Sequence, residues 1–152
     1  MSILIFGFNN SVSKNIVMNI KLDCDKYYLN SNTDDIKSFV LNTDFAKYDY
    51  VLGIGDYSGK DQDYIRIETR CSSQFRNNKT NLTYIKIPYY FKADDGVKLA
   101  SGIGNSWCNL VSYLILCKSP YLKYTFLHVP RLCDYNIATN IIYEQLYVNI
   151  LI

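Results

Sequence analysis

Apolar residues along the chain fall into two patterns, and the first of them predicts buried strands. Continuous apolar runs occupy residues 3–8, 48–54 and 124–128, and shorter β-rich segments occupy 83–87 and 97–100. Parallel sheets covered on both faces bury runs of this kind. We expect the second run to break at Gly53 and Gly55, because glycine weakens a strand interior. Residues 64–70 instead alternate at period two, which is typical of a half-buried strand.

The second pattern has helical spacing and alternates with these strands. It covers 13–20, 34–41, 108–117 and 137–150, and Thr33 or Asp34 is the expected cap of the second helix. Strands that alternate with helices predict an α/β fold, a three-layer α/β/α sandwich with a mostly parallel central sheet. We expect one domain over 1–152, with its longest loop at 71–81.

Composition narrows the classes of function. The chain is 49% hydrophobic and 20% charged, with 16 basic and 14 acidic residues scattered along it. This balance favours neither nucleic acid nor an anionic membrane as the main partner. Apolar runs stay well short of the roughly 20 residues of a membrane span, and the N-terminus lacks the features of a signal peptide, so we expect a cytoplasmic protein. The five cysteines are widely spaced without a C-x-x-C motif, which predicts no disulfide framework, metal site or cofactor.

The only histidine, His128, is the one side chain that titrates near neutral pH when unperturbed. It closes an apolar run, at the end of a strand where open parallel sheets bind ligands. Cys108 lies at the start of a helical run, and Asn105 and Ser106 in the turn before that run are good N-cap residues. Its thiol is therefore expected to face the positive helix end, which favours thiolate. Cys108 as a small buried hydrophobe and His128 as a structural side chain are the competing interpretations.

Two further segments have alternative interpretations. Glu68 lies on one strand face with Arg66 and Arg70, as either a solvated charge ladder or a carboxylate that orients His128. The glycine-rich segment 53–60 suggests a phosphate loop. It departs from the Walker A pattern, and Ser58 stands where G-x-G-x-x-G needs its last glycine. A nucleotide-binding protein therefore stays a minor alternative.

Five segments in this order resemble the pyroglutamyl peptidase I family, the pyrrolidone-carboxylate peptidases, which are cysteine peptidases. They are Gly7-Phe8 with Asn15 downstream, Leu52-Gly53-Ile54-Gly55 with Gly59-Lys60, Ile67-Glu68, Gly104-Asn105-Ser106-Trp107-Cys108-Asn109, and Phe126-Leu127-His128-Val129-Pro130. The last two are the most specific, since they are similar to the Gly-Thr-Tyr-x-Cys-Asn and Phe-Ile-His-Val-Pro motifs of the family. The resemblance covers about residues 3 to 130.

The resemblance implies a hydrolase of peptides with a blocked, pyroglutamyl N-terminus. It assigns Cys108 as nucleophile, His128 as general base and acid, and Glu68 as the orienting carboxylate. Phe8 would contribute to the substrate pocket, and the family often forms homo-oligomers. It implies no cofactor, metal, nucleic acid or membrane.

The chain also departs from the family pattern. The stretch 71–96 is abbreviated, and the usual Pro-Phe reads Asn10-Ser11. Asp56 is an unusual substrate-pocket residue, and Arg76 is the candidate for the family's arginine near the oxyanion site. These departures leave room for a related cyclic or small acyl amide as substrate. They also leave open a non-catalytic binding or scaffold protein that retains the fold.

Overall fold

The computed structural model describes residues 1–77 and 81–152 and contains a six-stranded sheet and a small two-stranded one. The larger sheet has the order β2-β1-β3-β8-β4-β7, and β5 pairs with β6 in the smaller. The strands are β1 Ile3–Phe8, β2 Asp25–Leu29, β3 Tyr50–Tyr57, β4 Ile65–Glu68, β5 Arg70–Ser72, β6 Tyr84–Lys86, β7 Val97–Ala100 and β8 Tyr124–Pro130.

The larger sheet is mostly parallel, as the sequence predicts. Strands β2, β1, β3 and β8 run parallel to one another, and β4 runs parallel to β7. Only the β4–β8 pair is antiparallel, and it sets Arg66 directly opposite His128. Directly paired residues project from the same face of a sheet, so this reversal brings the side chains of β4 next to the histidine.

Helices cover both faces of this sheet, which confirms the three-layer architecture. They are α1 Val12–Asn19, α2 Thr33–Asn42, α3 Trp107–Lys118 and α4 Tyr135–Leu146. Helices α1 and α4 pack together over one core, and α2 and α3 pack together over the other. The alternation within β1 shows why two cores form: Ile3 and Ile5 belong to the first, Leu4 and Phe6 to the second. Each fully buried side chain of this kind contributes about 1.5–3 kcal/mol.

The expected break in the third strand is wrong, because β3 continues through Gly53 and Gly55 to Tyr57. Both glycines leave space that neighbouring side chains occupy. A Cβ on Gly53 would lie 2.5 Å from the Phe6 ring and 2.6 Å from the Phe126 ring. The segment is therefore a strand that accommodates aromatic rings, and this geometry does not provide the phosphate loop that a nucleotide site would need.

Several element boundaries also differ from expectation. The cap of α2 is Asn32, whose side chain accepts a 2.7 Å hydrogen bond from the Asp35 amide, rather than Thr33 or Asp34. The alternating segment 64–70 is divided, since β4 ends at Glu68 and β5 belongs to the second sheet. Helix α4 ends at Leu146 and continues as a π-helical turn, Tyr147–Leu151. Part of the expected 71–81 loop is strand, and residues 78–80 lie outside the described residues.

The edge strand β2 has no counterpart in the sequence-based expectations. Its first four side chains alternate between exposed and partly buried positions and only Leu29 is buried, so the segment lacks the continuous apolar run of the central strands. Within residues 1–77 and 81–152, no helix is both long enough and apolar enough to cross a membrane.

Candidate active site

The site lies at the carboxyl ends of β1, β3 and β8, where the first turn of α3 meets the sheet. His128 is on β8, and its register partner on β3 is Gly55. A Cβ on Gly55 would lie 2.5 Å from Sγ of Cys108 and 3.5 Å from Cδ2 of His128. The sulfur and the imidazole ring therefore both border the space that Gly55 leaves free. The structure brings together the two residues that the sequence singles out.

A buried hydrogen bond fixes the orientation of the imidazole. Nδ1 of His128 lies 2.9 Å from Oε1 of Glu68, and the two residues are 5% and 0% exposed. A carboxylate accepts this bond, so Nδ1 carries the proton and Nε2 is left as an acceptor. The Phe126 ring, edge-on to the imidazole at 5.3 Å between centroids, limits its rotation further. The third predicted residue is thus in contact with the histidine.

Glu68 is not part of a solvated charge ladder. Its Oε1 also lies 3.3 Å from Nε of Arg66, two residues earlier on the same strand. Its Oε2 is buried without a hydrogen-bond partner in the described part of the chain. Arg70, which the alternation placed on the same face, is exposed in the second sheet, where its guanidinium lies over the Tyr84 ring. The break after Glu68 separates the two arginines.

The thiol of Cys108 is electrostatically disfavoured as a thiolate, contrary to the expectation from its helix position. Desolvation raises its pKa above the usual range, and the carboxylates of Asp56 and Glu68 raise it further. Its own backbone N–H lowers the pKa, as expected at a helix N-terminus, but does not compensate. Ser106 is the N-cap of α3, although its side chain makes no capping hydrogen bond. The raised pKa therefore favours the neutral thiol of Cys108 in the resting site.

A cavity of about 520 Å³ opens beside the sulfur. Phe8 and Asp56, both predicted as substrate-binding residues, line it. Its other lining residues are Asn9, Asn10, Ser11, Asn30, Ser31, Asn32, Trp107 and Cys108. Most are polar, because the loops after β1 and β2 form one wall of the cavity.

Asp56 has a structural partner within this cavity. Its two carboxylate oxygens accept hydrogen bonds from the Val12 and Ser13 amides, at 3.3 and 3.2 Å. These amides belong to the first turn of α1, whose unpaired N–H groups attract an anion. The negative charge is thereby paired with a helix terminus. This pairing explains how a carboxylate is tolerated beside the sulfur.

Arg76 lies apart from the cavity lining in the described part of the chain. It is exposed, and its guanidinium carbon lies 4.7 Å from the centre of the Trp107 ring. Its backbone adopts a φ of 54°, held by hydrogen bonds to Asn105 in both directions. Arg76 therefore packs behind a residue of the cavity wall, and the structure does not bring it together with the sulfur.

Sequence reasoning assigned no role to Asn109, which ties the second sheet to α3. Its Oδ1 accepts from the Ser72 amide at 2.8 Å, and its Nδ2 donates to the carbonyl oxygens of Ser72 and Gln74 at 3.0 and 2.7 Å. The residue is fully buried. The signal in the sequence is its position next to Cys108, where a carboxamide in an apolar helix needs polar partners. Asn109 fixes the segment 72–74 beside the nucleophile helix.

The described residues include no group of three or more His, Cys, Asp or Glu side chains that could hold a metal ion. The arrangement is instead that of a hydrogen-bonded carboxylate, an imidazole and a thiol at a helix N-terminus, next to a cavity. Such a set can transfer a thiol proton to the imidazole while the sulfur attacks a bound carbonyl group.

The fold defined by this sheet order and these helices is that of the pyrrolidone carboxyl peptidases. A variant pyrrolidone carboxyl peptidase from Pyrococcus furiosus superimposes with a TM-score of 0.79 and 15% identity, over 99% of each chain. The enzyme from Thermus thermophilus gives 0.75 and 13%, over 95% of this chain and 98% of its own. The enzyme from Thermococcus litoralis gives 0.72 and 14%, over 97% and 92%.

Sequence comparison alone does not find this relationship. No protein-family model matches the chain, and no curated protein matches it in sequence. The fold implied by the motif resemblance is confirmed by the structural likeness.

Proposed function

We propose that the protein is a cysteine peptidase that hydrolyses N-terminal pyroglutamyl, or similar cyclic or small acyl, amides. The observation that carries the proposal is the buried 2.9 Å hydrogen bond between His128 Nδ1 and Glu68 Oε1, with the Cys108 sulfur beside the same ring. A purely structural role for His128 would not require a thiol beside its ring. A purely structural role for Cys108 would not require an imidazole held in one orientation. The fold of the pyrrolidone carboxyl peptidases supports the substrate class.

The first half of the reaction forms a thioester. Nε2 of His128 accepts the thiol proton while Sγ of Cys108 attacks the acyl carbonyl carbon. The resulting imidazolium is stabilised by Glu68, and the oxyanion can accept hydrogen bonds from the free amides of the first turn of α3. When the tetrahedral intermediate collapses, the carbon–nitrogen bond breaks and His128 returns the proton to the leaving amine.

The second half uses the same groups in reverse. Water attacks the thioester carbon as His128 accepts its proton. The carbon–sulfur bond then breaks, the proton returns to Cys108, and the free acid leaves. Because the resting thiol is neutral, proton transfer accompanies attack and a preformed ion pair is not required. The proposed role of His128 is therefore that of a general base and then a general acid in each half.

The direct test is turnover of a fluorogenic pyroglutamyl amide by the purified chain. We expect fluorophore release that Cys108→Ser abolishes, because the hydroxyl is a far weaker nucleophile than the thiol. Cys117→Ser is the matched control: this cysteine is exposed near the other end of the same helix, so its loss should leave turnover unchanged. Turnover that survives Cys108→Ser, or a folded parent without turnover on this and related acyl amides, would overturn the proposal.

A further inference from the structure

Arg66 contacts the proposed machinery without belonging to any motif of the resemblance. Its Nε lies 3.3 Å from Oε1 of Glu68, the same oxygen that His128 contacts. Its guanidinium carbon lies 4.3 Å from the centre of the Tyr57 ring, and its Nη2 lies 3.3 Å from where a Cβ of Gly102 would stand. Only 14% of the side chain is exposed. Arg66 is therefore held between a ring, a loop and the carboxylate.

We propose that Arg66 is a positioning residue that sets the orientation and effective charge of Glu68, and through it the basicity of His128. The proposal rests on the proposed function, since it concerns the same imidazole. Two donors share one oxygen: the imidazole N–H and the guanidinium N–H both point at Oε1. The guanidinium offsets part of the carboxylate charge that the imidazolium experiences. The guanidinium also holds Oε1 in place, so that Nδ1 of His128 keeps the same hydrogen-bond acceptor throughout the reaction.

The charge balance around His128 determines the sign of the effect. Glu68 and Asp56 are the acidic groups near the site, the second on β3, and both act on Cys108 of α3. Tyr57 of β3 lies 6.2 Å from the imidazole, centre to centre. Lys98 of β7 and Asp61 form an ion pair, and Arg66 acts electrostatically on Asp61. Arg66 is thus the cation that directly contacts Glu68 among the described residues.

Removal of Arg66 should make His128 harder to deprotonate. In Arg66→Met the stem can still pack on Tyr57, but Glu68 keeps its full charge and stabilises the imidazolium more strongly. We expect the titration midpoint of the histidine to rise by about one pH unit, which corresponds to about a tenfold loss of neutral base at fixed acidic pH. The acid limb of kcat/KM should move to higher pH by the same amount, with KM little changed.

The single histidine makes this test direct, because ring NMR signals of imidazole come from His128 alone. The experiment titrates the ring signals of the full chain in the parent, Arg66→Met and Arg66→Lys, and records kcat/KM against pH for each. Arg66→Lys keeps the positive charge and should return the midpoint towards the parent value. Arg70→Met is the matched control, since that arginine also lies over a tyrosine ring but belongs to the second sheet.

The outcomes separate this proposal from the proposed function. A midpoint that stays unchanged in a folded Arg66→Met, or shifts equally in Arg70→Met, overturns the role of Arg66 even if the parent is active. Should Arg66→Met fail to fold, Arg66→Gln removes the charge with a polar side chain: a raised midpoint in this variant supports the role, and a parental midpoint overturns it. A shifted midpoint in a chain without turnover supports Arg66 while the proposed function fails.

Discussion

The two halves of the site are built in opposite ways. The thiol–imidazole–carboxylate cluster is packed into the sheet, where Glu68 is 0% and His128 5% exposed. A hydrogen bond between these two side chains fixes their relative orientation. The cavity wall formed by the loops after β1 and β2 instead presents exposed carboxamides, such as Asn10 and Asn30. Packing thus fixes the geometry of the reacting groups. Recognition of the substrate instead depends on polar groups that can also form hydrogen bonds with water. Variants of the cluster should therefore change kcat, and variants of the wall should change KM.

The largest expected effect is that of removing the imidazole. His128→Ala eliminates the base of both half-reactions, so we expect kcat for a pyroglutamyl amide to fall by about 10³- to 10⁴-fold. Steady-state kinetics of the purified variant measures this, with circular dichroism to confirm the fold. A variant that retains more than a tenth of parental kcat would show that His128 is structural.

The next effect concerns the orienting carboxylate. Glu68→Gln keeps the shape but can donate to Nδ1, which favours the wrong tautomer and removes the charge that stabilises the imidazolium. We expect kcat to fall by about 10²- to 10³-fold. Glu144→Gln, an exposed position on α4, is the matched control and should leave kcat unchanged. Equal losses in the two variants would contradict a specific role for Glu68.

The space at Gly55 gives a steric test of the cluster. Gly55→Ala places a methyl group 2.5 Å from the Cys108 sulfur, so the thiol must shift away from the imidazole. A displacement of about 1 Å costs on the order of 100-fold in rate, which we expect in kcat. Gly96→Ala is the control, because its methyl group would meet only Ile141, at 3.5 Å. If Gly55→Ala is folded and fully active, the sulfur and imidazole do not act together.

Asp56 connects the two halves of the site and gives a smaller effect. Its charge is one of the groups that raise the pKa of the Cys108 thiol, so Asp56→Asn should lower that pKa and favour the thiolate. We expect iodoacetamide to alkylate Cys108 several-fold faster at pH 8, measured by peptide mass spectrometry. In the parent, alkylation should continue to rise above pH 8.5, roughly the ordinary thiol pKa.

Asp134→Asn controls for the loss of a carboxylate charge at a helix N-terminus, since Asp134 accepts amide hydrogen bonds at the start of α4 as Asp56 does at the start of α1. Asparagine still accepts hydrogen bonds there, so both changes should cost about 0.3–1 kcal/mol of stability through the lost charge, but only Asp56→Asn should change the alkylation rate. A slower or unaltered rate in Asp56→Asn would contradict the electrostatic account of the thiol.

The smallest effect is expected on the cavity wall. Asn30 accepts a 2.9 Å hydrogen bond from Nδ2 of Asn9, which links the two loops. Asn30→Ala should loosen this wall and raise KM a few-fold, because one neutral hydrogen bond contributes about 1 kcal/mol. Steady-state kinetics should show kcat unchanged. A loss confined to kcat would contradict the expectation that the buried cluster determines kcat and the cavity wall determines KM.

The sequence predicts the central strands, the helices and the identity of the cluster, because long apolar runs and rare residue types carry strong local signals. It does not predict β2, whose edge position requires only weak apolar alternation. It also mistakes Gly53 and Gly55 for strand breaks, since the rings and the sulfur that need their space come from distant segments. Long-range contacts of this kind leave no periodic trace.

The site shows the same limit. A period-two pattern places Arg66, Glu68 and Arg70 on one face, but the chain leaves the sheet after Glu68 and only Arg66 reaches the cluster. The helix N-terminus correctly predicts a lowering influence on the Cys108 thiol. Its net pKa nevertheless rises, because desolvation and two carboxylates from other strands outweigh that influence. The local sequence is enough to identify Cys108 as the candidate nucleophile. The direction of its pKa shift is determined by the tertiary environment.

The central claim, that Cys108 forms an acyl-enzyme with the help of His128, is most directly tested by trapping that intermediate. The parent chain is mixed with a pyroglutamyl amide or ester, quenched in acid within milliseconds to seconds, and analysed by intact and peptide mass spectrometry. We predict an added acyl mass on the Cys108 peptide, absent in Cys108→Ser and retained in Cys117→Ser. Fluorophore release without an adduct on Cys108, or an adduct on another cysteine, would contradict the account.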